Sequence, residues 1–227
     1  MLASVLVVAT VVVSTAYRSQ LFAIESVNVE GTSVLSATDV RARIALPSDA
    51  TLLRFPRARI EADLEADPWI ADASVTRRFP STLSITVEER VAAALLDTGV
   101  TFWFVDSEGR FLGESSLDST GSPLPVVRDV PGVEPTAGDV TTDPALLNAL
   151  RVLGGVSPDL RARVRAVSAA SAHETTLITD TGVEIMVGEA VQLAEKSALA
   201  LGIMAEQGDD TVFIDVRSID RPISRGL

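Results

Sequence analysis

The chain has no cysteine, one histidine (His173) and one lysine (Lys196) among its 227 residues. Without cysteine there is no disulfide framework, thiolate zinc site, thiol nucleophile or lipid-bearing N-terminal Cys. That absence selects no compartment, since exported and cytosolic proteins alike fold without disulfides. A single imidazole builds no multi-histidine metal centre, which leaves oxygen ligands. A Ser/His/Asp triad would need His173, but no Gly-x-Ser-x-Gly elbow accompanies it, and its polar surroundings from Ser171 to Thr176 mark a surface residue. Positive charge is scarce as well. Nineteen Lys and Arg against 31 Asp and Glu leave a net charge of -12, which repels phosphate backbones and argues against nucleic-acid binding.

Other signatures of chemistry are missing. There is no internal repeat and no low-complexity tract. Gly154-Gly155 lacks the lysine of a phosphate-binding loop, and Asp106-Ser107-Glu108-Gly109 is too short for a calcium loop and reads as a turn. The adjacent acids Glu88-Glu89 and Asp209-Asp210 would point to opposite faces of a strand, as solvated charge rather than a catalytic pair. No enzyme activity, cofactor or metal site is expected. What is present is a globular balance, 47% hydrophobic and 22% charged residues, in a length that suits one large domain or two small ones.

The longest apolar run is at the start. Leu2 to Tyr17 carries no charge, and as a helix those sixteen residues span about 24 Å, short of the roughly 30 Å hydrocarbon core. Continuation through Leu21 to Ile24, with Arg18 and Gln20 at the interface, would supply the length. A transmembrane anchor over residues 1–21 is therefore expected. The alternative is a signal peptide cleaved after Ser14-Thr15-Ala16, but no basic residue precedes the run. The nearest cation, Arg18, follows it, so an orientation with the bulk of the chain outside the membrane calls for a basic cytoplasmic tail upstream.

From Phe22 to Arg90 the periodicity predicts a βααββ module. Val27 and Val29 alternate with polar neighbours up to Gly31. Ser36 caps a helix carrying Val40 and Ile44, with Asp39 near its positive end. Pro56 opens a second helix, with Ile60 and Leu64 on one face, that ends at Asp67-Pro68. Val75 and Phe79 alternate before the Pro80-Ser81 connection, and Leu83, Ile85 and Val87 share a face after it. Two helices on one face of a three-stranded sheet would bury one small core.

Residues 91–217 predict a mostly β domain with two or three helices, an α+β chain overall. Strands are expected at Ala92–Asp97, Thr101–Val105, Val164–Val167, Thr175–Thr179, Val183–Val187 and Thr211–Arg217. Phe111 and Leu112 return from the hairpin turn without continuing as a strand, and Ser115 to Pro123 forms a polar loop. A helix capped by Asp143 runs through Leu153, and another covers Ala190–Gln207. Residues 218–227 read as a flexible tail with nothing to pair. The last strand, Thr211, Val212, Phe213, Ile214, Asp215, Val216 and Arg217, would therefore offer a free edge to which a partner strand adds.

The run Leu52–Arg90 resembles the FtsQ-type POTRA domain of the FtsQ/DivIB cell-division family. The pieces that carry the resemblance are Asp67-Pro68-Trp69-Ile70, Val75, Arg77-Arg78-Phe79-Pro80 and Leu83 to Arg90. Members usually follow the Glu-Arg pair with proline, where Val91-Ala92-Ala93 stands here. The resemblance implies a transmembrane helix, a POTRA domain (22–90) and a β-domain (91–217), located in the cytoplasmic membrane at the septum. It also implies a scaffold that recruits the FtsB (DivIC in some lineages)–FtsL pair among other divisome proteins and links ring assembly to septal peptidoglycan synthesis. Phe213 to Arg217 would lie on the segment that receives FtsB, with Arg217 facing an acidic residue. Ser218 stands where some members carry an aromatic anchor. Arg57, Arg59, Arg77 and Arg78 form a possible docking patch on the POTRA module. The alternative is a POTRA-containing, chaperone-like subunit of a secretion or outer-membrane insertion system, which would carry several POTRA units or a barrel of strands of about ten residues. A secreted hydrolase would need convergent acids that the chain does not display.

Overall fold

The computed structural model describes residues 2–18, 20, 22–115 and 123–226. It divides into two compact units, Met1–Arg90 and Val91–Leu227.

The first unit begins with helix α1 (Leu2–Arg18), seventeen residues without an acid in its first turn. No helix among the described residues is long and apolar enough to cross a membrane. The expected continuation of the apolar helix through Ile24 does not occur. Phe22 accepts the Leu52 amide at 2.8 Å, Ala23 bridges Thr51, and Phe22 and Ile24 pack against the module's core instead. Residues 1, 19 and 21 of the expected anchor lie outside the described residues.

Strand β1 (Ser26–Glu30), helices α2 (Ala37–Ala42) and α3 (Arg57–Glu65), and strands β2 (Ile70–Arg78) and β3 (Thr82–Glu89) follow, which is the βααββ order. The sheet runs β1-β3-β2, with β1 parallel and β2 antiparallel to the central strand. Alternation puts Val75, Leu83, Ile85 and Val87 inward against Val40, Ile60 and Leu64, the apolar stripes of the two helices. Ser36 caps α2 by accepting the Asp39 amide. Pro56 is the N-cap of α3 rather than its first helical residue. Asp67 ends α3 with a local turn, accepting the Trp69 amide at 2.9 Å and pairing with Arg43.

The loop after β1 is tied down by one carboxylate. Glu89 accepts the amides of Ser33, Val34 and Leu35 and the Ser33 hydroxyl, at 2.6 to 2.9 Å. Burial pushes this carboxyl up, but the Ser33 hydroxyl and the three amides outweigh it and hold it below the usual 4.5. Glu89→Ala is expected to destabilise the unit by on the order of 1–2 kcal/mol, a value reduced by partial solvent exposure. A depressed folded-state pKa means the contribution is complete above the unfolded value and disappears as pH falls through the folded one. The difference between parent and variant, measured by urea unfolding, should therefore shrink on acidification below 4.5. An undiminished difference at about pH 3 would sink the assignment.

The second unit is a nine-stranded sheet in the order β12-β11-β10-β9-β8-β7-β4-β5-β6. Its strands are β4 (Ala92–Asp97), β5 (Phe102–Asp106), β6 (Phe111–Ser115), β7 (Val126–Arg128), β8 (Val164–Ser171), β9 (Glu174–Thr179), β10 (Glu184–Met186), β11 (Thr211–Asp215) and β12 (Ile223–Gly226). Helices α4 (Pro144–Gly155), α5 (Pro158–Arg161) and α6 (Leu193–Gln207) complete it. Its core joins Leu146, Leu150 and Leu153 of α4 to Leu96, Val127, Val167, Leu177, Ile185 and Ile214 of the sheet. Asp143 caps α4 through the Leu146 amide, with Pro144 at the first turn.

Several elements differ from the sequence expectation. Phe111 and Leu112 do continue as a strand, β6, because pairing with β5 carries the backbone on to Ser115. Helix α6 begins at Leu193, since Gln192 takes a left-handed conformation (φ 51°) and breaks helical continuity with Ala190. Residues 116–122 of the polar loop lie outside the described residues. The segment expected to be a loose tail contains β12, antiparallel to β11 with Ile214 opposite Ser224 and Asp215 opposite Ile223.

Candidate functional site

The end of the large sheet is built by β10, β11 and β12. β11 lies parallel to β10, and Ile214 and Val216 are fully buried in the core while Val212, Phe213 and Asp215 are more accessible. The outer edge of β11 is therefore not free: its backbone is paired with β12, which takes the last position in the sheet. The expectation of an open edge at Thr211–Arg217 fails on this point, because the chain folds back after Arg221-Pro222 and supplies the missing strand itself. Among the described residues, the open edge at this end of the sheet is that of Ile223–Gly226.

Side chains hold this last strand in place. Gln207, at the end of α6, donates to the Ser224 hydroxyl at 2.7 Å, and the Arg225 guanidinium lies 4.6 Å from the Phe213 ring centroid. Ile223 stays 57% exposed. A bulge between Thr211 and Phe213 shifts the register at the far end.

Arg217, two residues past the end of β11, closes back on Asp215 of that strand. Its Nη2 is 2.7 Å from Asp215 Oδ2, its Nε lies 3.1 Å from both carboxylate oxygens, and its amide also donates to Oδ1. The Arg217 side chain holds the Asp215 carboxyl low, against an upward push from burial, and Asp215 in return raises the guanidinium. Arg217 is thus a half-exposed cation whose first partner is internal. Any acid from outside would share it with Asp215.

Beneath this edge lies a polar network that sequence reasoning missed. Asn148, on the apolar face of α4, donates to Thr175 Oγ1 at 2.8 Å and to the Gly188 carbonyl at 2.9 Å, and its Oδ1 accepts the Ala190 amide at 3.0 Å. Lys196 of α6 is 2% exposed and donates to the carbonyls of Val187 and Glu189 at 2.8 and 3.1 Å. Burial lowers the Lys196 pKa, against upward pulls from Glu189 and Asp215. Together the two side chains fasten segment 187–190, which leads from β10 into α6. The only available signal was a lone lysine and a lone amide inside apolar helices, and neither names its partners.

The four arginines of the expected docking patch each have an internal partner. Arg57 pairs with Glu61 at 2.8 Å and Arg59 with Asp63 at 3.6 Å, each one helical turn on. Arg77 donates to the Leu52 carbonyl at 2.6 Å and stacks over Phe55, while Arg78, the next strand residue and so on the other face, lies 3.6 Å from Glu30. His173 is exposed with Nδ1 facing Glu189. Among the described residues no group of three or more His, Asp or Glu could hold a metal ion.

Comparison with known proteins matches the same two regions. Residues 22–90 fit the model "POTRA domain, FtsQ-type", and residues 94–220 fit "Cell division protein FtsQ/DivIB, C-terminal". The cell division protein FtsQ of Mycobacteroides abscessus is 30% identical over 206 residues, covering 91% of this chain and 62% of that protein. FtsQ of Anaeromyxobacter is 29% identical over 176 residues (76% and 59%), and FtsQ of Streptomyces venezuelae 27% over 212 residues (92% and 77%). The chain thus spans less than two thirds of the length of the first two relatives. The matched C-terminal region stops at residue 220, three residues before β12 begins. With both of its regions accounted for in the order POTRA then β-domain, this chain belongs to the FtsQ/DivIB family of cell-division proteins.

Proposed function

We propose that the chain is a single-pass scaffold of the division septum that recruits an FtsB (DivIC)–FtsL-like pair without turnover of its own, and so couples division-ring assembly to septal peptidoglycan synthesis. Helix α1 is the proposed anchor. Val5, Leu6, Val7, Val8 and Val11 are exposed along it, and its length of about 25 Å needs only modest bilayer thinning.

The observation that supports recruitment is the open edge of β12, four residues long and backed by eight further strands. An extended segment of FtsB or DivIC would add to this edge. Phe213 and Asp215 of β11, and Arg217 just beyond its end, would contribute side chains beside it, and Arg217 would share an acidic residue of the partner with Asp215. The four POTRA arginines, each occupied internally, would serve other divisome partners through their exposed faces.

The test uses the full chain in dividing cells. Photo-crosslinkers at Ile223 and Arg225 should capture an FtsB- or DivIC-like protein from the membrane fraction. Proline is then placed at Ser224 and at Arg225 in separate variants. Neighbouring amides of a strand point to opposite sides, so one proline removes an outward donor and the other a bond to β11. Capture should drop by about tenfold or more in both. Undiminished capture in both variants, or a chain found in the soluble fraction, would reject the proposal.

A further inference from the structure

Among the described residues the POTRA-type sheet also has an open side, the outer edge of β2, and α3 covers part of it with two glutamates. Val75 donates its amide to Glu61 Oε1 at 2.8 Å, and Ala73 donates to Glu65 Oε1 at 3.4 Å. Both strand side chains are buried inward, and both amides lie on the side away from β3. The match is geometric. Four helix residues rise about 6 Å and two strand residues about 6.6 Å, so glutamates one turn apart meet alternate amides of an adjacent strand. Arg57, one turn before Glu61, donates to the same Oε1 at 2.8 Å and fixes the carboxylate. Burial raises the Glu61 carboxyl, but the Arg57 bond, the Val75 amide and the Arg57 charge together keep it ionised below its ordinary range. An acceptor side chain laid on outward amides denies them to an incoming strand.

The uncovered remainder of β2 is complementary to itself. Amides 73 and 75 point outward, and by alternation so does that of Arg77. Antiparallel pairing of two copies centred on Val75 would set these outward groups against each other, Ala73 facing the copy's Arg77. The same register sets Ser74 against Thr76 and the exposed Asp72 against the exposed Arg78, once on each side of the two-fold axis. Shifting the centre by one residue, to Ser74 or Thr76, loses both charge matches. Within its own sheet Asp72 lies opposite Glu88, a like charge, so a cation from outside is favoured there.

We propose that the outer edge of β2 is a self-pairing edge, held shut by Glu61 and Glu65, whose ligand is the same edge of a second copy of this chain. With the seal in place the module is monomeric along this edge. With it removed, the two strands join through backbone bonds and two Asp72–Arg78 pairs.

The absence of native cysteine makes the register directly readable. Full-length chains carrying Ser74→Cys and Thr76→Cys are mixed in detergent micelles under oxidation, with and without Glu61→Ala and Glu65→Ala. Both alanines lie on helix surface, where alanine is the best helix former. The mixed disulfide is expected to rise by about tenfold or more in the alanine background. It should be lost on adding Asp72→Arg and return with Asp72→Arg plus Arg78→Asp. Equal yields with the glutamates intact would overturn the seal, and a yield insensitive to Asp72→Arg would overturn the pairing. A third measurement needs no substitution: hydrogen exchange at the Val75 amide of the parent chain should be slowed relative to Arg77. Exchange as fast as at Arg77 would also overturn the seal.

Discussion

Gly31→Ala is expected to unfold the first unit, or to destabilise it by about 3 kcal/mol or more. Gly31 follows β1 with φ at +90°, where an L side chain already costs about 1 kcal/mol. Steric overlap adds more. A Cβ built there would lie 2.1 Å from the Val87 carbonyl oxygen and 3.2 Å from its carbon. That obstacle is backbone of the central strand β3, not the flexible end of a side chain. Relief requires β1 to move off β3 or the loop to lift, and lifting the loop separates Ser33, Val34 and Leu35 from Glu89. A unit of this size holds only about 5 kcal/mol in total. Trp69 lies in this unit and Trp103 in the other, so Trp69 fluorescence in a Trp103→Phe background reports its urea midpoint. Gly99→Ala is the control for the backbone term, with φ at +80° and nothing within 4 Å of the added carbon; it lies in the second unit and is read through Trp103 in a Trp69→Phe background. It should cost only about 1 kcal/mol, from backbone conformation alone. Equal effects at the two positions would refute the steric argument.

Asn148→Leu is expected to cost the second unit about 3 kcal/mol, although leucine suits both the helix and the apolar face. Three groups lose their partner at once: the Thr175 hydroxyl, the Gly188 carbonyl and the Ala190 amide. Thr175 is completely buried, so water cannot replace the bond without opening the core. Each stranded buried group costs about 1–3 kcal/mol, while the gain from burying leucine is about 1–2 kcal/mol at a site already filled. Desolvation therefore wins. Asn148→Asp separates the roles. It retains an acceptor for Ala190 but cannot donate to the Gly188 carbonyl when ionised, and should be destabilising too. Urea unfolding followed through Trp103 in a Trp69→Phe background measures both. A leucine variant as stable as the parent would show that segment 187–190 is held by packing alone. Because that segment leads through α6 to β11 and β12, the same variant should also reduce partner capture at the sheet edge.

The two regions differ in how much of them is visible before folding. In the POTRA module the informative relations are local: Val27 and Val29 two apart, Ile60 and Leu64 one turn apart, Ser36 three residues before the amide it caps. Propensity and alternation act over such distances, so strands and helices can be placed from the residues alone. The motif pieces from Asp67 to Ile70 and from Arg77 to Pro80 are likewise contiguous, and they sufficed to indicate the family. The candidate edge was legible only in half. Alternation in Thr211–Arg217 marks a strand, but nothing in a strand's own residues says what lies on its outer side.

The sequence by itself determined the order of elements, the α+β class, the absence of thiol and multi-histidine chemistry, and membership in the FtsQ/DivIB family. Tertiary structure alone decided which edges are open. β12 is four residues after a proline, too short to show a period, and it exists because β11 is there to pair with it. Glu89 meets its amides 54 to 56 residues away, and Asn148 its partners 27 to 42 residues away. Glu61 and Glu65 read as ordinary solvated acids until the helix is laid beside β2. Hydrogen bonds across such separations depend on chain packing, which a residue's neighbours in sequence do not encode.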